Sequence, residues 1–349
     1  MAKNHVLLIH GIGQHTKGWS TSWQQCLRDN AALFAPYHDD PASFDDDVEF
    51  AEITYDPVFE SGYRQRWQGL AGALADTSLP PAVRTVLGEL AQTDDARLPE
   101  FFWTHVLDGL LWYAVGQARQ AVIATVATQV GKALKRAQED EADVHILAHS
   151  LGTSVAHDTL LCLAAGKRTR NVFDPRLGGY RWASYVTVAN VSRVMGALDS
   201  PSDDLGVDAF RPHSSRVQGG DLVGTFVNVR HPLDPFTFPR RFKPDWPTPP
   251  FWNLEPDRFD EPRLIHDLET QFDQPMVART CLRLFTGRKA LGSNAEMQAA
   301  WRRYDQKYGR SGGDLFGSIR QMFEPDAERL LGPGEMARFL MQYGKEVLS

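Results

Sequence analysis

An apolar run that ends at a serine between two small residues constrains the fold of this chain more than any other feature. Residues 144–148 read Val-His-Ile-Leu-Ala, Ser150 follows, and residues 153–163 carry apolar side chains at helical spacing. This order predicts a buried strand, a tight turn and a helix, with one hydroxyl at the apex of the turn. Ala148 and Gly152 flank the turn, and their small size lets the strand and the helix approach each other closely.

The five residues from Ala148 to Gly152 fit the pattern G-x-S-x-G, with Ala148 in place of the first glycine. In that pattern the serine is a nucleophile on a strained turn. The backbone N–H of Leu151 would then lie at a helix N-terminus, where the helix dipole favours a developing oxyanion. The alternative is a chance match in a loop, but few such matches follow an apolar strand and open a helix.

Strands and helices alternate along the rest of the chain. Apolar runs predict strands at residues 5–10, 48–55, 185–191 and 224–231, the second of them nearer a sheet edge. Helical spacing predicts helices at residues 19–34, 101–137 and 264–285, of which the second is kinked or divided near Gly116. The alternation favours the α/β class, with a mostly parallel central sheet and helices on both faces.

The chain divides into one large domain and a tail. We expect residues 1–290 to form the α/β domain, with a helical insertion at 56–143 that could act as a cap or lid, and residues 291–349 to form a helical extension. Residues 232–262 hold nine prolines and predict an ordered loop over the site, with a disordered linker as the alternative. Trp246 and Trp252 in this loop are candidates to line a substrate pocket, as are Trp103 and Trp112 in the insertion; each could equally be an ordinary core aromatic.

Composition excludes several classes of function. The net charge is −7 and no long basic run occurs, so nucleic acid is not an expected partner. Polar residues interrupt the longest apolar stretch, and no signal-peptide pattern is recognised, which predicts a cytoplasmic protein without a transmembrane segment.

Three distant cysteines predict free thiols. No phosphate loop, dinucleotide fingerprint or metal-ligand spacing is found, so neither a cofactor nor a metal is expected. Nothing indicates the oligomeric state.

A serine nucleophile needs a base and an acid that orients the base. In a strand–turn–helix site of this kind they follow the serine in the order acid, then histidine. Asp234 comes three residues after the strand predicted at 224–231, and His266 is the one histidine beyond it. Asp234 could instead be a turn-forming residue before proline, and His266 a capping or surface histidine. Rival acids are Asp203, Asp204 and Asp221.

The loop after the first strand reads His10-Gly11-Ile12-Gly13-Gln14. Its two glycines allow the backbone to approach a substrate and to offer N–H groups to an oxyanion. We predict that the Ile12 N–H is the second oxyanion donor, with Gly13 as the other candidate. His10 would hold the loop through hydrogen bonds, and both His10 and Gln14 are candidates to line the substrate site, Gln14 at its mouth.

The loop 10–14 and the turn 148–152 together resemble the α/β-hydrolase superfamily. More narrowly, with residues 108–113, the turn 233–235 and residues 266–268 followed by Phe272, the chain resembles lipase-like serine esterases of the GPI-inositol-deacylase type and similar bacterial esterases, over about residues 4–286. The resemblance implies a hydrolase that cleaves a small-molecule or lipid-like ester with Ser150, Asp234 and His266. A thioesterase, an acyltransferase and a catalytically silent binding protein on this fold are the alternatives.

Overall fold

The structure is a computed structural model of the chain. It describes residues 3–11, 13, 15–59, 84, 88, 112, 116–164, 181–192, 223–231, 234, 237, 242, 251–256, 266–288, 291 and 293–308. All structural statements concern these residues.

A parallel sheet forms the centre of the described structure. Its six strands lie in the order β2-β1-β3-β4-β5-β6, and every neighbouring pair is parallel. The strands are β1 (Asn4–Ile9), β2 (Val48–Ile53), β3 (Val144–His149), β4 (Trp182–Val188), β5 (Val223–Val229) and β6 (Phe251–Leu254). The α/β class and the parallel sheet predicted from the alternation of elements are confirmed, and β2 lies at an edge as expected.

Helices account for most of the other described elements. They are α1 (Thr21–Ala31), α2 (Ala35–His38), α3 (Phe44–Asp47), α4 (Asp56–Phe59), α5 (Gly116–Glu139), α6 (Leu151–Ala164), α7 (Leu268–Phe272), α8 (Pro275–Thr286) and α9 (Asn294–Tyr308), with a short 3-10 helix at Pro41–Ser43. Among the described residues, no helix is both long and apolar enough to cross a membrane.

Both faces of the sheet are covered, because alternate strand residues point to opposite sides. Leu7 and Ile9 of β1 belong to a buried cluster that includes residues of α5 and α6. Val6 and Leu8 belong to a second cluster with residues of α1, α8 and α9. Continuous apolar strands such as β1 are typical of a parallel sheet buried on both sides.

Several predicted boundaries were wrong. The helix expected at 264–285 is two helices, because residues 273–274 leave the helical conformation and Pro275 starts α8. The helix expected at 19–34 covers only Thr21–Ala31. The proline-rich loop contributes the edge strand β6, a position where prolines nearby do not break the ladder. In the region predicted as 101–137, the described helix is Gly116–Glu139; residues 113–115 lie outside the described residues, so the kink expected near Gly116 stays a prediction.

The remaining predictions fall outside the described residues. These are the helices expected between residues 60 and 111 (apart from 84 and 88), most of the loop 232–262, and the extension beyond residue 308. The division into domains therefore stays a prediction. Within the described residues the three cysteines are free, with Cys162 and Cys281 buried and Cys26 half-buried.

Candidate active site

Ser150 lies on a sharp turn between β3 and α6. Its φ of 51° is a left-handed conformation that residues other than glycine rarely adopt. Neighbouring backbone and side-chain groups hold this turn: the Ser150 N–H donates to the Val188 carbonyl at 3.0 Å, and the Thr153 hydroxyl donates to the Ser150 carbonyl at 2.6 Å. Such a strained conformation persists only when its surroundings fix it, and it is often found at functional sites.

Two glycines let the turn contact the end of β1. A Cβ added to Gly152 would lie 2.2 Å from the carbonyl oxygen of His10, and one added to Gly11 would lie 2.9 Å from Cβ of Ser150. Any larger residue at these positions would separate α6 from β1 or displace the serine. Gly152, the small residue predicted after Ser150, therefore allows the backbone of α6 to approach the backbone at the end of β1.

The structure brings Ser150, His266 and Asp234 into one chain of hydrogen bonds. His266 Nε2 lies 2.7 Å from the Ser150 hydroxyl oxygen, and His266 Nδ1 lies 3.0 Å from each carboxylate oxygen of Asp234. A carboxylate only accepts hydrogen bonds, so Nδ1 carries the hydrogen and Nε2 is left to accept from the serine. This is the tautomer that a general base needs.

Asp234 is fully buried, whereas the side chain of His266 is 17% exposed. A turn after β5 positions the acid, because its N–H donates to the His231 carbonyl at 3.2 Å and its carbonyl accepts from the Thr237 N–H at 3.1 Å. Gln271 of α7 adds a long contact of 3.4 Å from its side-chain amide to Oδ2. A buried carboxylate is costly unless it is hydrogen-bonded, so the contacts of its oxygens with His266 and Gln271 stabilise Asp234 in its place.

His149, next to the serine, supports the backbone of the base. Its Nε2 lies 2.7 Å from the His266 carbonyl oxygen, to which it can only donate, and its ring meets Trp23 edge-on with 5.5 Å between centroids. Burial, together with the neighbouring His266, lowers the pKa of His149 to about 3, so the ring is neutral near pH 7. This contact could not be found from the sequence, because no local pattern signals it.

Two of the predicted oxyanion donors, Leu151 and Gly13, are described; they follow the carboxyl ends of the paired strands β3 and β1. Leu151 is the first residue of α6, and the first N–H groups of a helix have no partner within the helix. Gly13 is described and has a φ of 142°. Ile12, the first choice for the second donor, and Gln14, the candidate for the mouth of the site, lie outside the described residues.

Side chains from the end of β2 hold the loop that follows β1. The Tyr55 hydroxyl lies 2.8 Å from the His10 carbonyl oxygen and 3.0 Å from that of Gly11. His10 has its Nδ1 2.8 Å from the Gly11 carbonyl oxygen, in agreement with the hydrogen-bonding role expected for it. Burial lowers the pKa of His10 to about 4. Tyr55 and its contacts could not be found from sequence, because the residues involved are more than 40 positions apart.

Glu52 of β2 anchors the same loop further along. Its carboxylate accepts hydrogen bonds from the backbone N–H groups of Gly18 and Ser20, at 2.9 Å each, and from the Ser20 hydroxyl at 2.8 Å. Burial raises the pKa of Glu52, but these hydrogen bonds outweigh it and hold the pKa below its ordinary value. Ser20 precedes α1 directly, but its side chain bonds to Glu52 and does not cap the helix.

The predicted substrate-lining tryptophans fall into different environments. Trp252 lies on the edge strand β6 and is 43% exposed. Trp112 is buried in the cluster beside α5, with the Arg119 guanidinium 5.5 Å above its ring, so it is a core aromatic. Trp103, Trp246 and the rival acids Asp203, Asp204 and Asp221 lie outside the described residues.

Comparison of the chain with family models, with curated proteins and with solved structures finds no match to it. The class that the described residues define is therefore structural: an α/β protein with a parallel sheet and a serine, a histidine and an aspartate in contact at the carboxyl ends of its strands.

Proposed function

We propose that this chain is a serine hydrolase of the α/β-hydrolase fold that cleaves carboxylic esters. The observation that carries the proposal is the series of hydrogen bonds from the Ser150 hydroxyl through His266 to Asp234. The serine of this series lies on a sharp turn and has a positive φ. The strand order and the chain order of serine, acid and histidine support the assignment to this fold.

In this mechanism Ser150 attacks the acyl carbonyl while Nε2 of His266 takes the hydroxyl proton. Asp234 keeps the imidazole in the required tautomer and stabilises the imidazolium that forms. His266 then protonates the leaving alcohol, and water, activated by the same base, hydrolyses the acyl-enzyme. The Leu151 N–H, with Ile12 or Gly13 as the second donor, stabilises the tetrahedral oxyanion, and the loss of one such donor typically costs ~3–4 kcal/mol.

The electrostatics favour this role for the serine. Ser150 is only 5% exposed, so little water competes with the base, and the residue lies directly before the N-terminus of α6. A dipole and a fixed donor act more strongly in such a desolvated place than in water. An ester substrate needs no cofactor for this chemistry.

A fluorophosphonate probe tests whether Ser150 is an activated nucleophile. We expect the wild-type protein to be labelled and Ser150→Ala not to be, while Ser154→Ala, which removes a buried serine one turn along α6, keeps its label. Absence of labelling in the wild type would favour the catalytically silent binding protein and overturn the proposal. Mass spectrometry of the labelled peptide identifies the modified serine.

Turnover measurements separate the enzymes that share such a site. A panel of nitrophenyl esters and acyl-thioesters of graded chain length ranks esterase against thioesterase, and added alcohols reveal acyl transfer. In Ser150→Ala, kcat should fall about a millionfold, and in Asp234→Asn about ten-thousandfold, because the neutral amide no longer fixes the tautomer. Full activity in His266→Ala would remove that residue from the mechanism, and loss of activity in Asp221→Asn but not Asp234→Asn would reassign the acid.

A further inference from the structure

A second group of polar side chains lies where β1 and β2 end, apart from the Ser150 site. His10 follows β1, His15 lies further along the same loop, and Asp56 is the first residue of α4. Ligand atoms of these three residues lie within 4.8 Å of one another. His10 and Asp56 are buried, at 0% and 2% exposed, and the side chain of His15 is 21% exposed.

Hydrogen bonding leaves two electron pairs facing each other in this group. The Gly11 carbonyl can only accept, so His10 Nδ1 carries a hydrogen and the neutral ring keeps its lone pair on Nε2. That nitrogen lies 3.7 Å from Oδ1 of Asp56, too far for a hydrogen bond. Its lone pair accepts one hydrogen bond, a long one of 3.4 Å from the Tyr55 N–H, which a bound ion would replace. Oδ1 is buried and has no hydrogen-bond partner among the described residues.

The second oxygen of Asp56 is satisfied by His15. Both the His15 N–H and the ring nitrogen Nδ1, the latter at 3.0 Å, contact Oδ2. The carboxylate is thus fixed on one side and unsatisfied on the side that faces His10. An unsatisfied buried acceptor costs about 1–3 kcal/mol, more when it is charged, so this arrangement favours a cation between Oδ1 and the His10 ring.

We propose that His10, His15 and Asp56 bind a divalent transition-metal ion of the zinc type, with a fourth position left for water. Two imidazoles and one carboxylate are ligands that zinc prefers, and bonds of ~2.0–2.2 Å place neighbouring ligands of a tetrahedral site roughly 3.4 Å apart. The 3.7 Å between His10 Nε2 and Asp56 Oδ1 is close to that spacing. A histidine that binds a metal usually donates its other ring N–H to a carbonyl or carboxylate, which fixes the ring. The Gly11 carbonyl accepts such a bond from Nδ1 of His10.

Binding requires one movement. The rings of His10 and His15 are stacked, with 4.0 Å between centroids and 20° between planes, and a lone pair lies in the plane of its ring. Both rings can face one ion only after they tilt toward each other. His15 is the residue able to move, because it is partly exposed and Gly13, whose missing Cβ would lie 2.9 Å from the His15 ring, leaves it room. The ion would link the loop after β1 to α4 and does not depend on the proposed hydrolase activity.

Direct titration of untagged protein tests the proposal. The protein is stripped with a chelator and titrated with Zn²⁺ in competition with a chromophoric chelator, and with Co²⁺ to record its d–d absorption. We expect one equivalent per chain at submicromolar free metal, a four-coordinate Co²⁺ spectrum, and at least ~100-fold weaker binding in Asp56→Asn and His15→Gln. His15→Gln is the safer variant, because its side chain is partly exposed.

The pair His5 and Asp140 provides a matched control. It has the same contact between a histidine ring and a carboxylate, at 3.1 Å, but belongs to no group of three among the described residues. His5→Gln and Ser150→Ala should both bind metal as the wild type does, which separates this proposal from the proposed function. Failure of the wild type to bind, or equal binding in His15→Gln and the wild type, would overturn the metal site and leave a buried ion pair.

Discussion

The turn at Ser150 and the loop after β1 lie side by side at the carboxyl ends of two paired strands, yet they are held in different ways. Backbone groups of the adjacent β4 and of the first turn of α6, together with the nearby Thr153 hydroxyl, fix the serine. The loop after β1 is fixed by side chains that arrive from the end of β2, namely Tyr55, Asp56 and Glu52.

This difference shows where each geometry is encoded. The turn depends on a few consecutive small residues and on the regular neighbours of β3, so its sequence is recognisable by itself. The loop depends on partners 30 to 45 positions away, as the separations of its hydrogen bonds show. A glycine-rich loop alone is therefore weak evidence, and its geometry becomes definite only once β2 is placed beside β1.

We expect the largest effect on stability from a substitution that adds an atom between the turn at Ser150 and the end of β1. In Gly152→Ala the new Cβ would lie 2.2 Å from the His10 carbonyl oxygen and 2.6 Å from that of Ile9. Both atoms are backbone, so they cannot rotate away, and the whole helix α6 must shift. We expect a loss of roughly 3 kcal/mol in the free energy of unfolding, measured by urea denaturation, because overpacking of a rigid site is costly.

Gly287→Ala is the control for this substitution. Its added Cβ meets no atom of the described residues within 4 Å, and the cost comes from its left-handed φ of 65°, about 1–2 kcal/mol. If Gly152→Ala were no more destabilising than Gly287→Ala, the close approach between the turn and β1 would not be a constraint.

An intermediate effect should come from the buried imidazoles, one in each region. Burial lowers the pKa of His149 to about 3 and that of His10 to about 4, while an unfolded histidine titrates near 6.5. The unfolded state therefore binds more protons below pH 6.5, and stability falls as the pH drops from 7 towards 4. Each ring should remove roughly 2 kcal/mol between pH 7 and pH 5.

The variant His149→Phe tests how much of this pH dependence of stability comes from the histidine beside the turn at Ser150. Its free energy of unfolding, measured with a chelator present, should fall less than that of the wild type between pH 7 and pH 5. His38→Gln, at an exposed position, should leave the slope unchanged. An unaltered slope in His149→Phe would mean that this ring is already protonated in the folded protein at pH 5.

The same contrast explains what could be predicted from the sequence. Ser150 could be located from its neighbours, and the parallel sheet from the alternation of apolar runs. The pairing of Asp234 with His266 was inferred from chain order, since only one histidine follows that acid. The strand β6 could not be predicted, because it forms where β5 offers an edge. The break before α8 was missed although its signal is local, since Pro275 lies within an otherwise helical pattern.

The group of His10, His15 and Asp56 shows the same limit more sharply. The two histidines are close in sequence, but their approach to Asp56 depends on the pairing of β1 with β2, which brings position 9 beside position 53. No spacing rule for metal ligands covers such a set, and for this reason the sequence led to the expectation of no metal.

We expect the smallest effect on stability from Tyr55→Phe. This variant tests whether the position of the loop after β1 matters for catalysis apart from the stability of the fold. The change removes the hydroxyl that bonds to the carbonyls of His10 and Gly11 but keeps the ring, which stacks on His10 at 4.2 Å between centroids. A lost hydrogen bond costs about 1 kcal/mol. Tyr37→Phe, which removes a hydroxyl bonded to Asp47 at 2.7 Å, should cost a similar amount.

If the loop after β1 supplies the second oxyanion donor, only Tyr55→Phe lowers kcat for ester hydrolysis, because only that hydroxyl bonds to the loop. Equal kcat values in the two variants, with equal losses of stability, would separate the loop from catalysis and leave the oxyanion to the N–H groups of the turn.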